Sequence, residues 1–150
     1  MNVTSRNIRL WYLSGGMTKF GIEEYDKSNE WREYLKKTIF EISDGNIVCC
    51  NPNDHYNLAT DKAEYTDREA MNLDIHKLRN SELVIYNNND PYSRGSMIEL
   101  GIAWERRIPI ITINDDHTQI HSWVKDMSER IVENTEELIW YVQDHYINID

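Results

Sequence analysis

The chain has 150 residues, with 16 lysines and arginines against 26 aspartates and glutamates, a formal net charge of −10. Forty per cent apolar residues over that length suit one globular domain, residues 1–150, that buries a core without a disulfide or metal staple. The acidity excludes a nucleic-acid polymer as partner, because phosphate neutralisation supplies most of that affinity; a small anion held by local backbone N–H groups stays open.

Ile8-Arg9-Leu10-Trp11-Tyr12-Leu13 predicts a first strand, ended by Ser14-Gly15-Gly16. Trp31, Tyr34, Leu35, Thr38, Ile39 and Ile42 recur at helical spacing, which predicts a helix from Ser28 to Ile42 with Ser28 as its N-cap. Asp44-Gly45-Asn46 then turns the chain into a second strand, Ile47 to Cys50. The polar stretch from Asn53 to Thr66 is long enough for a binding loop. A second helix is expected from Asp67 to Arg79 and a third strand over Leu83-Val84-Ile85-Tyr86, ended by Asn87-Asn88-Asn89-Asp90-Pro91.

Ser93-Arg94-Gly95-Ser96 opens a third helix, Met97 to Arg106, and Ile108 to Ile113 forms a fourth strand. A helical turn over Ile120 to Lys125, a short strand over Arg130-Ile131-Val132 and a helix from Thr135 to Tyr146 complete the pattern. Strands alternating with helices predict an α/β fold: a flavodoxin-like or Rossmann-like three-layer sandwich around a five-stranded parallel sheet. Such sheets bind ligands beyond the carboxyl ends of their strands. The segments Tyr12–Thr18, Asn51–Tyr56 and Asn87–Glu99 are therefore expected to converge.

No run of about 18 apolar residues is present to span a membrane. The first residues, Met1 to Arg6, lack the apolar core of a signal peptide. Cys49 and Cys50 are adjacent on a strand and point to opposite faces, so they do not pair with each other. Together these features point to a cytoplasmic, reducing setting.

Glu99 is the most informative residue. It lies about one turn into the third helix among Met97, Ile98, Leu100 and Ile102, where a carboxylate is costly unless something orients it; the plainer reading is an exposed acid favouring the helix dipole. Asp74 is either an ordinary exposed helical acid or a partner facing Glu99, and paired carboxylates of that kind serve glycosyl transfer. Ser93, Gly95 and Ser96 form a hydroxyl-rich helix opening that suits a phosphate or hydroxyl, or simply a cap. Ser14, Gly15 and Gly16 leave the backbone open to close approach, though the glycine pattern is neither a Walker loop nor a dinucleotide fingerprint. His55 lies on the second site loop and is available to a ligand or to solvent. His117 and His121, four apart, are too few for zinc. Trp31, Tyr34, Trp140 and Tyr141 read as core or subunit interface.

Taken in order, these segments resemble the nucleoside 2-deoxyribosyltransferase superfamily, which includes nucleoside 5′-monophosphate N-glycosidases. The resemblance spans Leu10 to about Val124 and rests on Tyr12-Leu13-Ser14-Gly15-Gly16-Met17, Asn72-Leu73-Asp74 and Ser93-Arg94-Gly95-Ser96-Met97-Ile98-Glu99-Leu100-Gly101-Ile102-Ala103. It implies that Glu99 attacks C1′ of the sugar and forms a glycosyl ester, that Tyr12 orients Glu99, and that Asp74 contacts the base and assists its protonation. It implies no metal and no organic cofactor. Where transferases of this kind carry an acid for the 5′-hydroxyl, six residues before the glutamate, this chain has Ser93, as nucleotide-cleaving members do; an acid there would repel a phosphate. The C-terminal asparagine that transferases lend a neighbouring subunit has no match near Met127 to Val132, and Ser122 matches the neighbour-supplied serine of nucleotide-cleaving members. A homodimer or higher homo-oligomer is therefore implied, with transfer to a second base or to water left open.

The expected partners are a small nucleoside or nucleotide and a nucleobase. The competing class is a non-catalytic nucleotide-sensing domain on the same scaffold. A phospho-receiver is set aside because Tyr86-Asn87-Asn88-Asn89 stands where its acceptor aspartate belongs, and a flavin carrier because the first loop lacks a hydroxyl-rich phosphate turn.

Overall fold

A computed structural model describes residues 7–16, 21–55 and 66–148, with side chains described outside 21–26 and 55. Five strands, β1 (Arg9–Gly15), β2 (Ile47–Cys50), β3 (Leu83–Asn87), β4 (Ile110–Ile113) and β5 (Ser128–Val132), form one parallel sheet in the order β2-β1-β3-β4-β5. The central strands β3 and β4 are buried at every residue, as helices on both faces require. The edge strand β5, Ser-Glu-Arg-Ile-Val, is buried fully only at Val132.

Among the described residues, five helices cover the sheet: α1 (Gly21–Ile42), α2 (Asp67–Arg79), α3 (Arg94–Glu105), α4 (Ser122–Met127) and α5 (Thr135–Val142), the last running on into a π-helical turn over Gln143–Ile147. On one face Trp11, Leu13, Ile85 and Ile111 pack with Leu35 and Ile39 of α1 and Leu138 and Val142 of α5. On the other, Tyr12, Val84 and Tyr86 pack with Leu78 of α2, Leu100 and Ala103 of α3 and Val124 of α4. Cys49 joins the first core and Cys50 the second; both are buried free thiols, each pushed up to about 12, chiefly by burial. β1 has β2 on one side and β3 on the other, so the chain reverses its winding there. A crevice opens at the carboxyl ends of strands flanking such a switch.

The class, strand number and alternation agree with the expectation, and several boundaries move. Ser14 and Gly15, expected in a loop, belong to β1 because β3 continues to pair with it as far as Gly15↔Asn87. Asn87 likewise closes β3 rather than starting the turn. The first helix begins at Gly21, so Ser28 is an interior residue and not its N-cap. The third helix begins at Arg94 and β5 at Ser128, each earlier than expected. β4 begins only at Ile110, following Pro109, which has no N–H to give a ladder. The polar stretch after β2 opens with a 3-10 turn over Pro52–His55, and residues 56–65 lie outside the described residues. Thr66 caps α2 through a reciprocal bond with Glu69, which sets where the chain leaves that stretch. Among the described residues, no helix is long and apolar enough to cross a membrane.

Candidate active site

Alternation along β1 turns Trp11 and Leu13 toward α1 and α5, and Tyr12 toward α2 and α3. Ser14 shares the Tyr12 face, and its hydroxyl donates to Glu99 Oε1 at 3.1 Å. Glu99 reaches that spot from the second turn of α3, which packs against both β1 and β3. Burial raises the Glu99 carboxyl from 4.5 to about 7; Tyr12, Ser14 and the Arg32 guanidinium pull it back toward the anion, and Asp74 opposes them.

The Tyr12 hydroxyl is fully enclosed and completes no hydrogen bond of good geometry among the described residues, although it is near enough to favour the Glu99 anion. An unpaired buried hydroxyl is expensive, and burial first, then Glu99 and Asp74, hold its proton far more firmly than on an ordinary phenol. Tyr12 is thus a neutral donor whose nearest acceptor is the Glu99 carboxylate. Asp74 is also buried, 8% exposed, on α2, and its charge is felt by Tyr12, Glu99 and Cys50. Of the two readings for Asp74, the inward-facing acid is the one seen.

Ser93 caps α3: its Oγ accepts from Ser96 N at 3.3 Å and from Ser96 Oγ at 2.9 Å. The segment expected to be a loop is therefore a cap followed by a first helical turn. Ser96 is buried, while Ser93 keeps partial access to solvent and Gly95 is exposed, with nothing within 4 Å of where a Cβ would stand. Gly15 and Gly16 are demanded by protein rather than left open for a ligand. A Cβ on Gly16 would stand 2.6 Å from Asp90 Cβ, and one on Gly15 3.0 Å from the Trp31 ring. Asn89 fastens the same junction, accepting from Gly16 N at 3.0 Å. Asn88 accepts from Tyr86 Oη at 2.9 Å and donates to Thr118 Oγ1 at 3.1 Å, so the asparagine run after β3 is scaffolding.

His55 closes the 3-10 turn, and its side chain lies outside the described residues, as do Met17, Thr18 and Tyr56 of the expected site segments. Ser122 opens α4 on the exposed surface, on a different element from Tyr12 and Ser14 (β1), Asp74 (α2) and Glu99 (α3). His121 caps that helix by accepting from Trp123 N at 3.1 Å, and His117 sits exposed at φ 49°. Among the described residues, no group of three or more His, Cys, Asp and Glu side chains converges as metal ligands do. A cavity of about 580 Å³ opens between α1 and the ends of β3 and β4, beside Trp31, Tyr34, Asn87 and Asp115; Tyr12, Ser14, Asp74 and Glu99 do not line it.

The residue that sequence reasoning missed is Arg32. It is fully buried, and its guanidinium donates to Gly15 O at 2.7 Å and to Ser28 O at 2.8 Å. The available signal was its position: with Ser28, Leu35 and Ile39 it falls on the inward stripe of α1, where a charge is out of place.

The cluster can present an oriented carboxylate to an electrophilic carbon, with a neutral phenol and a second acid at hand. Comparison with known proteins identifies the family and the fold. The family described as "Nucleoside 2-deoxyribosyltransferase" matches residues 12–139. No curated protein sequence matches. Among solved structures, a 2-deoxyribosyltransferase from Bacillus psychrosaccharolyticus is similar at TM-score 0.65 and 12% identity, over 86% of this chain and 89% of that one. A 2-deoxyribosyltransferase from Leishmania mexicana superposes at TM-score 0.63 and 15% identity, over 92% and 99%. The Clostridium botulinum CMP N-glycosidase BcmB does so at 0.54 and 15%, over 91% and 99%. At such identities the likeness establishes the fold.

Proposed function

Because this chain belongs to the nucleoside 2-deoxyribosyltransferase family, we propose that it cleaves the N-glycosidic bond of a 2′-deoxynucleoside or its 5′-monophosphate. The observation that carries the reading is the Glu99 carboxylate, held at 3.1 Å by Ser14 and flanked by Tyr12 and Asp74. A Glu99 oxygen attacks C1′ as the C1′–N bond breaks, and the bonding pair leaves with the base. Asp74 contacts the base and shares the proton that makes it a better leaving group. The product is a glycosyl ester of Glu99, which water or a second base opens at C1′, regenerating the carboxylate. Tyr12, neutral and directed at Glu99, orients that carboxylate toward the sugar.

The 5′ end is assigned to the start of α3. Ser93 places a hydroxyl there instead of a carboxylate, next to the positive end of the helix dipole, and Gly95 leaves open space. That supports the monophosphate over the free nucleoside. The pair of sites is completed by a second copy of the chain. Ile98 (61% exposed), Trp104 (56%) and Trp123 (72%) on α3 and α4 offer the apolar area a subunit contact needs, and Ser122 reaches the neighbour's site from the same surface.

Incubation with deoxynucleosides, deoxynucleoside monophosphates and a spare base, followed by product separation, tests the reaction. Released base means hydrolysis, an exchanged nucleoside means transfer, and bound nucleotide without either rejects the enzyme in favour of a sensing domain. Light scattering at the assay concentration tests the dimer.

A further inference from the structure

We propose that Arg32 is a positioning residue for the Glu99 site: it stands in for the strand that β1 lacks beyond β2 and holds the backbone on both sides of Ser14. This rests on the reading of Glu99 as nucleophile.

Odd-numbered residues of β1 face β2, as the bond from Arg9 N to Asn46 O shows. That pairing ends at Tyr12↔Cys50, whereas pairing with β3 continues to Gly15↔Asn87. The carbonyls of Leu13 and Gly15 therefore project past the end of β2, in the buried interior, where an unmet acceptor is costly. Arg32 meets them from α1. Its Nη2 donates to Gly15 O at 2.7 Å and its Nε to Leu13 O at 3.5 Å, while Nη1 reaches Ser28 O at 2.8 Å and Gly16 O at 3.5 Å.

Ser14, the residue between the two clamped carbonyls, turns its hydroxyl to the opposite face and donates to Glu99. The guanidinium is 4.7 Å from the centre of the Trp31 ring, and a Cβ on Gly15 would stand 3.2 Å from its Nη2. Glycine at position 15 thus leaves the guanidinium room against the strand. Only a planar fork with five donors spans several carbonyls at once; an ammonium is a point charge on a flexible stem.

The same cation reaches Glu99 through β1 and favours its ionised form. The other groups facing Glu99 are Tyr12 and Ser14 on β1, Asp74 on α2 and the Cys50 thiol on β2. Asp74 and burial oppose the anion, and the positive charge of Arg32 offsets them.

Two variants separate geometry from charge. Arg32→Met removes both, and Arg32→Lys keeps the charge without the fork. Two measurements read them: the Glu99 carboxyl titration, followed by carbon-13 NMR in glutamate-labelled protein and assigned by its loss in Glu99→Gln, and steady-state kinetics on deoxynucleoside monophosphates. In Arg32→Met the Glu99 midpoint is expected to rise by about one pH unit. In Arg32→Lys the midpoint stays near that of the wild type, while kcat falls on the order of 10²-fold with KM changed less, because Ser14 is misplaced. An unmoved midpoint in folded Arg32→Met overturns the electrostatic role, and an unchanged kcat in Arg32→Lys overturns the clamp. Should Arg32→Met not fold, Arg32→Lys still decides the clamp through kcat. A wild-type protein without glycosidase activity defeats the functional reading alone, since the NMR titration then judges Arg32 by itself.

Discussion

Trp11 and Leu13 on one face of β1, and Tyr12 and Ser14 on the other, alternate in sequence and are equally closed to solvent. Their surroundings differ in kind. Trp11 donates its indole N–H to Glu82 at 3.2 Å and meets Tyr146 edge-on, and Leu13 lies among Leu35, Ile39 and Val132. The one polar atom these two side chains carry is thus paired within that face, as a stabilising core favours. On the opposite face a buried phenol completes no hydrogen bond of good geometry, an acid titrates near neutrality and a second acid is buried beside them. Proteins break local rules of this kind where they act, and offset the cost elsewhere. Here the offset sits one residue away in sequence and across the strand, so one face supplies stability and the other spends it.

The contrast is breakable by experiment. Its largest expected effect is loss of turnover in Glu99→Gln, by at least roughly 10³-fold in kcat with the fold intact, as removal of a nucleophile produces; product chromatography and circular dichroism check both halves. On the other face, Leu35→Ala is expected to lower unfolding free energy by about 2–5 kcal/mol, measured in urea, with the Glu99 titration unmoved. If Leu35→Ala shifts that titration, the two faces are not separable.

Glu99 also makes a claim about stability. Its carboxyl titrates at about 7 when folded against 4.5 in an ordinary setting. Between those values the folded state holds a proton that the unfolded chain has released, so stability falls as pH rises through that window. Relative to wild type, Glu99→Gln should therefore gain up to about 3 kcal/mol on going from the bottom of the window to the top, read from urea midpoints at several pH values. The same titration makes kcat/KM fall about tenfold per unit on the acid side of neutrality, so catalysis and stability run in opposite directions with pH. Tyr12→Phe has the smallest effect, a loss of roughly 10- to 100-fold in kcat with little change in thermal stability, because the buried hydroxyl it removes makes no hydrogen bond of good geometry. A marked loss of stability in Tyr12→Phe would show that the hydroxyl serves the core rather than the site.

Much of this was legible in the chain. Apolar runs such as Leu83-Val84-Ile85-Tyr86 between helical patterns specify buried parallel strands, and the ordered segments around Tyr12, Asp74 and Glu99 identify a family that residues 12–139 match. What escaped was set by distant contacts. Ser28 looks like an N-cap, but the helix runs back to Gly21, and its carbonyl serves Arg32 instead. Gly15 and Gly16 read as backbone open to a ligand's close approach, yet the space beside them is taken by Trp31 and Asp90. Arg32 itself is a charge on an inward stripe, which periodicity treats as an exception and which only the unpaired carbonyls beyond β2 explain. Spacing along a chain reports the element a residue sits in; it does not report what meets that element from the far side.

Cys49 and Cys50 carry one consequence of the two-faced sheet. They are consecutive, one in each core, and both hold their protons to about 12, so at neutral pH only a minute fraction is thiolate and neither reacts while β2 stays closed. Each becomes alkylatable only when its own face opens. Mass spectrometry after timed iodoacetamide exposure therefore turns the pair into two clocks one peptide bond apart, registering whether the stabilising face and the reactive face breathe together or in turn.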